Sequence, residues 1–210
     1  MPGYVQDELP PEEVDRQRAL YGPLAEAVRD LVDATIRTTV DDDEVRAVQL
    51  EVEELTARLR KSQLDGAYGV RFSRGRGRPW GNPVVGLRNA VAPPVVIEHD
   101  PSANGDVWAD FHLGAAYEGP PGLVHGGVSA LILDQVLGEA AGAGGKPGMT
   151  GTLTLRYHRP TPLFVELTVQ ARQVSVDGRK IRTTGEILAN GEACVSADGL
   201  FVNKHLPRPR

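Results

Sequence analysis

Val124-His125-Gly126-Gly127-Val128-Ser129-Ala130-Leu131-Ile132-Leu133-Asp134-Gln135-Val136-Leu137 is the stretch on which the reading of this chain turns. Val128, Ala130, Leu131, Ile132, Leu133, Val136 and Leu137 predict a helix over about 126–143 that is apolar nearly all round. Gly142, Gly144, Gly145 and Pro147 stop it. A helix of that kind has to be buried.

Strand signals lie on both sides of it. Val107, Ala109, Phe111 and Leu113 alternate with Trp108, Asp110 and His112, as in a half-buried strand, and a β-branched run covers 94–98. The turn Glu118-Gly119-Pro120-Pro121-Gly122 leads into the helix. After it come four strand candidates at 149–158, 163–175, 179–189 and 192–203, with hairpin signals at Asp177-Gly178 and Asn190-Gly191. The order is strand, strand, helix, then an antiparallel meander. A curved sheet wrapped around one helix satisfies both the burial and the order, so the class is α+β.

Upstream, 1–66 reads as a helical extension, with Pro10-Pro11-Glu12-Glu13 at a helix start. Gly22-Pro23 breaks and restarts the helical pattern, and Leu24, Val28, Leu31 and Thr35 mark one face. Beyond Asp41-Asp42-Asp43, the residues Val45, Val48, Val52, Leu55 and Leu59 alternate spacings of three and four, like a heptad seam of about two repeats. Such helices pack on the main domain or across a dimer. The basic segment 67–81, with Arg71 and Arg74-Gly75-Arg76-Gly77-Arg78, reads as a linker rather than an RNA-binding element in an acidic chain. The main domain spans 82–205 and a tail 206–210.

Asp134 stands inside the apolar run, where a carboxylate is costly unless paired or hydrogen-bonded. It is either a functional group or a member of a solvent stripe with Gln135. His125-Gly126-Gly127 sits at the helix start, where backbone N–H groups are free and the dipole is positive. Glycines there let a ligand approach the backbone. That suits an acyl oxygen on which negative charge grows, although the same residues also make a tight turn. From His125 to Asp134 is about 13 Å along a helix. The two act on one carbonyl only if Asp134 of one copy faces the His-Gly-Gly end of another, as in a two-fold dimer with antiparallel helices. On the strand 149–158, alternation puts Thr150, Thr152, Thr154, Arg156 and His158 on one face. Thr150, at the strand start, can place a hydroxyl near Asp134.

The run from Glu118 to Asp134, the corner Arg156-Tyr157-His158-Arg159-Pro160-Thr161-Pro162-Leu163, and Asn82-Pro83 with Gly86-Leu87 together resemble the hot-dog acyl-CoA thioesterases. The phenylacetate-pathway branch and the mammalian thioesterase-superfamily proteins are the most similar. The resemblance covers about 82–201 and implies a long helix wrapped by a curved six-stranded antiparallel sheet. It implies hydrolysis of acyl-CoA to a free acid and CoA, in keeping with fatty acid metabolism, by a homodimer or tetramer with sites at the subunit interface. Asp134 would be general base or nucleophile, Gly127 the backbone donor to the oxyanion, Thr150 a second polar group and His125 a supporting neighbour. Gly119 stands where some relatives carry a water-orienting asparagine, and Gly126 lines the substrate. Arg156, Arg159, Arg179 and Lys180 are candidates for the CoA phosphates. The same fold also serves as a non-catalytic acyl-CoA-binding or dimerisation module.

The net charge of -5 gives no general reason to expect nucleic acid or an anionic membrane. Cys194 is the single cysteine, so no intrachain disulfide forms. The acidic start Met1 to Glu8 lacks the apolar core of a secretory signal, and no run spans a bilayer. The expected compartment is the cytoplasm. No metal-ligand spacing and no cofactor beyond the substrate's own CoA are expected.

Overall fold

Proline and acids open the first helix as their positions predict, but the helix does not stop where the sequence suggests. In a computed structural model, which describes residues 4–73, 76–100, 105–143 and 148–203, a short strand β1 (Tyr4–Gln6) precedes α1 (Pro11–Arg37). Pro23 lies inside α1, so the expected break at Gly22-Pro23 is corrected to a continuous helix. Pro23 is exposed and forfeits one backbone hydrogen bond. The glycine serves packing instead, since a Cβ at Gly22 would meet Leu87 Cδ1 at 3.3 Å. After a short turn, α2 (Asp42–Arg60) is capped by Asp41, whose side chain accepts from the N–H groups of Asp43 and Glu44.

The segment read as a linker is in part a sheet. Strand β2 (Val70–Ser73) pairs parallel with β1 and antiparallel with β3 (Arg76–Arg78). Arg74 and Gly75 lie outside the described residues. Asp7 accepts from Ser73 Oγ at 2.8 Å and forms an ion pair with the buried Arg78 guanidinium. Arg78 also lies over the Trp80 ring at 5.3 Å. These elements form a first unit, which runs to Asn82 and takes in Gly86–Ala90.

The second unit comprises Pro83–Val85 and the chain from Val91. Its strands are β4 (Glu98–His99), β5 (Val107–His112), β6 (Met149–Tyr157), β7 (Glu166–Asp177), β8 (Lys180–Ala189) and β9 (Glu192–Val202). They form one antiparallel sheet in the order β4-β5-β7-β8-β9-β6. The expected strand at 94–98 is reduced to the edge pair of β4. Pro93 and Pro94 have no N–H to give a ladder, and the Val95 N–H donates to Val84 O instead.

Helix α3 (Gly126–Gly142) packs across one face of this sheet, on β5 to β9. Ile132, Leu133, Val136 and Leu137 are fully buried there, against Val169, Ile187, Val195 and Phe201 among others. Burial of each such side chain contributes roughly 1.5–3 kcal/mol. Asn190 (φ 52°) and Gly191 (φ 76°) both adopt the left-handed conformation that a two-residue hairpin demands. The fold is therefore the hot-dog arrangement, a long helix wrapped by six antiparallel strands. Among the described residues no helix is long and apolar enough to cross a membrane.

One register detail decides the site. Thr150 pairs with Phe201 and Thr152 with Leu200, so β6 carries a bulge at Gly151. The alternation expected from Thr150 through Arg156 is thus broken. Phe201 faces α3, and so does Thr150, along with Leu153, Leu155 and Tyr157. Thr152, Thr154 and Arg156 face the other way.

Candidate active site at the start and the middle of the central helix

His125 is the N-cap of α3. Its backbone is extended (φ -61°, ψ 132°), and its ring Nδ1 accepts from the Gly127 N–H at 3.0 Å. The Val128 N–H donates to His125 O at 2.9 Å. The Gly127 N–H, expected to be available to a ligand, is therefore engaged by the neighbouring side chain. Among the described residues the Gly126 N–H has no partner, and it is the open donor at this helix end. The Gly126 carbonyl accepts from the Tyr157 hydroxyl at 3.0 Å. Tyr157 thus ties the edge strand β6 to the helix start.

The loop before the helix is built to reach this point. A Cβ at Gly119 would lie 2.7 Å from His125 Cα, so only glycine allows the two backbones to pass. The Gly119 N–H donates to Leu123 O, and the His125 N–H to Tyr117 O, both at 2.9 Å. Glu118 Oε1 accepts from the Gly122 N–H at 2.7 Å, bracing a turn in which Gly122 has φ 74°. Gly119 consequently has a packing role, and Glu118 is spent inside its own loop.

Asp134 is two helical turns away and half-buried. Thr150 Oγ1 donates to Asp134 Oδ1 at 2.8 Å. The bulge at Gly151 makes this possible by turning the threonine toward the helix. The carboxylate thus finds one hydrogen-bond partner and keeps its second oxygen, Oδ2, for something else. Asp134, at the middle of α3, and Thr150, near the start of β6, form one group, and His125, Gly126 and Tyr157, at the start of α3 and the end of β6, form the other. From Gly126 to Asp134 the helix rises about 12 Å. A single chain does not bring the two groups to one carbonyl.

The basic candidates divide between these groups. Lys180 and Met149 both pair with Val202, so Lys180, with Arg179 before it, lies in the sheet row beside the Thr150 end. Arg156 pairs with Ser196 near the other end and faces away from α3. Arg159 forms an ion pair with Glu192. Tyr157 was not singled out from the sequence. Its place on the apolar face with Leu153 and Leu155 was the available signal, because a hydroxyl there needs a partner.

Comparison with known proteins agrees with the fold and extends it. The family model for the thioesterase superfamily matches residues 121–195, which contain the whole of α3 and β6. A solved thioesterase superfamily protein is 45% identical with a TM-score of 0.78, over 87% of this chain and 94% of that one, so the likeness reaches into the first unit. Acyl-coenzyme A thioesterase THEM4 of Xenopus laevis is 33% identical over 96 residues, 44% of this chain and 42% of that protein. The mouse (Mus musculus) protein of the same name is 32% identical over 101 residues, 47% of this chain and 44% of its own length. The chain thus spans less than half the length of these curated relatives. With a helix-wrapped sheet, and likeness to a solved member over nearly the whole of both chains, the protein belongs to the thioesterase superfamily.

Proposed function

We propose that the protein hydrolyses acyl-CoA thioesters to a free acid and CoA, at two identical sites shared between the subunits of a two-fold dimer. The observation that carries this reading is the Thr150–Asp134 hydrogen bond at 2.8 Å, which holds one carboxylate oxygen and leaves the other free, in the middle of a mostly apolar helix. The curated relatives named acyl-coenzyme A thioesterase support the substrate class.

Strand β6 is an edge of its sheet, so its outer backbone groups await a partner. Antiparallel pairing of β6 with β6 of a second copy, centred near Leu153 and Thr154, sets Thr150 of one copy across from Tyr157 of the other. Each Asp134 then approaches the Gly126 end of the second copy's helix, twice by symmetry. Arg179 and Lys180 come to each site from the Asp134 side, and Arg156 and Arg159 from the other. They are the candidates to meet the CoA phosphates.

Chemistry follows from this pairing. Thr150 holds Oδ1, leaving Oδ2 of Asp134 to take a proton from water as the water oxygen attacks the thioester carbon. Negative charge then grows on the carbonyl oxygen. The Gly126 N–H, at the positive end of α3, donates to it, and the Gly127 N–H joins if the His125 ring turns aside. Collapse breaks the C–S bond, and the thiolate of CoA takes up the proton from Asp134. In the alternative role Asp134 attacks directly and forms an anhydride. After a single turnover in 18O-water, label in the Asp134 carboxylate identifies an anhydride opened at the aspartyl carbon, an outcome that the general-base route never gives.

The direct test is thiol release from a panel of acyl-CoAs by wild type and Asp134→Asn. Turnover of at least one acyl-CoA, lost in the variant, supports the reading. Undiminished hydrolysis by the variant removes Asp134 from its role. Binding without turnover by wild type identifies a binding module instead.

A further inference from the structure

We infer that α2 is an interface helix that packs antiparallel against α2 of a second copy of this chain. No residue of α2 is buried. Val45, Leu55 and Leu59 are 47%, 51% and 57% exposed, and Val48 is 39% exposed; with the half-buried Val52 they form one continuous stripe. An apolar stripe of this length, on a helix whose other positions are mostly charged or polar, calls for a cover.

Heptad positions name the occupant. Val45, Val52 and Leu59 fall at a, Val48 and Leu55 at d. An antiparallel pair seats a against d, so Val52 meets Leu55 of the second copy and Val48 meets Leu59, each contact made twice. In this register Glu51, beside the seam, comes next to Arg58 of the second copy, also twice. Neither residue has an ion-pair partner among the described residues. A parallel pair would set Glu51 beside Thr56 and Arg58 beside Gln63. It would also bring together two copies of the acidic start Asp41-Asp42-Asp43-Glu44. Antiparallel packing instead places that start near the basic end, with Arg58, Arg60 and Lys61. Charge and register thus select a second copy, in one orientation.

Two heptads are too few to hold free helices together. Here α2 is already ordered and capped by Asp41, so association forfeits less conformational freedom than pairing of isolated peptides. The inference does not rest on the catalytic assignment, because it uses only α2.

Cysteine cross-linking of the full-length chain tests it. In Val48→Cys/Leu59→Cys, the two positions of one helix are about 16 Å apart and cannot bridge each other. The thiol introduced at position 48 faces the thiol at position 59 of a second copy, so mild oxidation gives a covalent dimer on a non-reducing gel. Either single variant alone, like wild type with its buried Cys194, gives little, while a mixture of the two single variants gives the dimer. Adding Glu51→Arg to the double-cysteine chain lowers the yield about fivefold, from two lost exposed pairs. Adding Glu51→Arg with Arg58→Glu restores it. Absence of a covalent dimer overturns the inference. Single variants that cross-link as well as the double overturn the antiparallel register, and insensitivity to Glu51→Arg removes the charge pairing.

Discussion

Replacing Gly126 isolates a single backbone hydrogen. Proline at this position removes the N–H that lacks a partner, and little else in the helix depends on it. The first helical position has no intrahelical acceptor for its N–H and is the one place where proline is readily accepted. The residue before a proline must be extended, and His125 already is, at φ -61° and ψ 132°. A side effect is crowding, since a Cβ at Gly126 meets the Tyr157 hydroxyl at 3.2 Å. Gly126→Ala carries the same Cβ and keeps the N–H, so it measures the crowding alone. Loss of one oxyanion donor costs about 2.7–4 kcal/mol of transition-state stabilisation, or roughly a hundred- to a thousandfold in kcat. A Cβ contact that short needs a shift of a few tenths of an ångström by Tyr157, with a cost of about 1 kcal/mol or less. The expected order of kcat for acyl-CoA hydrolysis is wild type, then Gly126→Ala within about tenfold, then Gly126→Pro at least about a hundredfold below wild type. Circular dichroism and thermal unfolding are the checks that both variants fold. Equal activities of the alanine and proline variants would refute the role of the Gly126 N–H.

Further outcomes follow from other contacts. Thr150→Val removes a hydrogen bond to a carboxylate, which is worth about 1.5–3 kcal/mol, and is expected to lower kcat about tenfold or more, with Thr150→Ser recovering much of the loss in the same thiol-release assay. His125→Ala removes the cap of α3 and is expected to cost about 1 kcal/mol in urea unfolding. In the first unit, burial pushes the Asp7 carboxyl upward, but the hydrogen bonds from Ser73 and Arg78 and the charge of Arg78 together hold it below the ordinary value of 3.8. A depressed folded value means that the contribution of Asp7 is full above the unfolded value and is lost as pH falls through the folded one. In a Trp108→Phe background, where Trp80 alone reports unfolding by its fluorescence, stability should therefore fall below about pH 4, and this component should be missing when Asp7→Asn is added. At neutral pH that variant leaves the Arg78 charge without its partner, at a cost of about 3 kcal/mol.

The helix α3, the antiparallel order of strands around it and the Asn190-Gly191 hairpin were legible because each has a local cause: an apolar run, alternation, and residues that tolerate positive φ. What escaped depended on partners distant in sequence. Strand β1 forms only because Val70–Phe72 lies beside it, and nothing in Tyr4-Val5-Gln6 announces that. The bulge at Gly151 shows no signature beyond a glycine, yet it reverses the face of Thr150, so the pairing with Asp134 was expected by a route that strict alternation would have forbidden. At the helix start the resemblance pointed to the Gly127 N–H as donor, but nothing local showed that the His125 ring takes it. The N–H left open there is that of Gly126. Pro23 misled because the loss of one hydrogen bond on an exposed helix surface is tolerable when the flanking turns remain intact.

The shared site is tested most directly by mixing two defective chains, Asp134→Asn and Gly126→Pro, after co-expression or refolding in equal amounts. Neither homodimer has an intact site. In a mixed dimer, the site that combines the intact Asp134 of one chain with the intact Gly126 of the other is whole, and its companion is doubly defective. Random pairing makes half the dimers mixed, so about one quarter of wild-type hydrolysis is expected to return. Recovery near that level supports a site built from the middle of one central helix and the start of the other. Folded, associated mixtures that remain as inactive as the separate variants would contradict it.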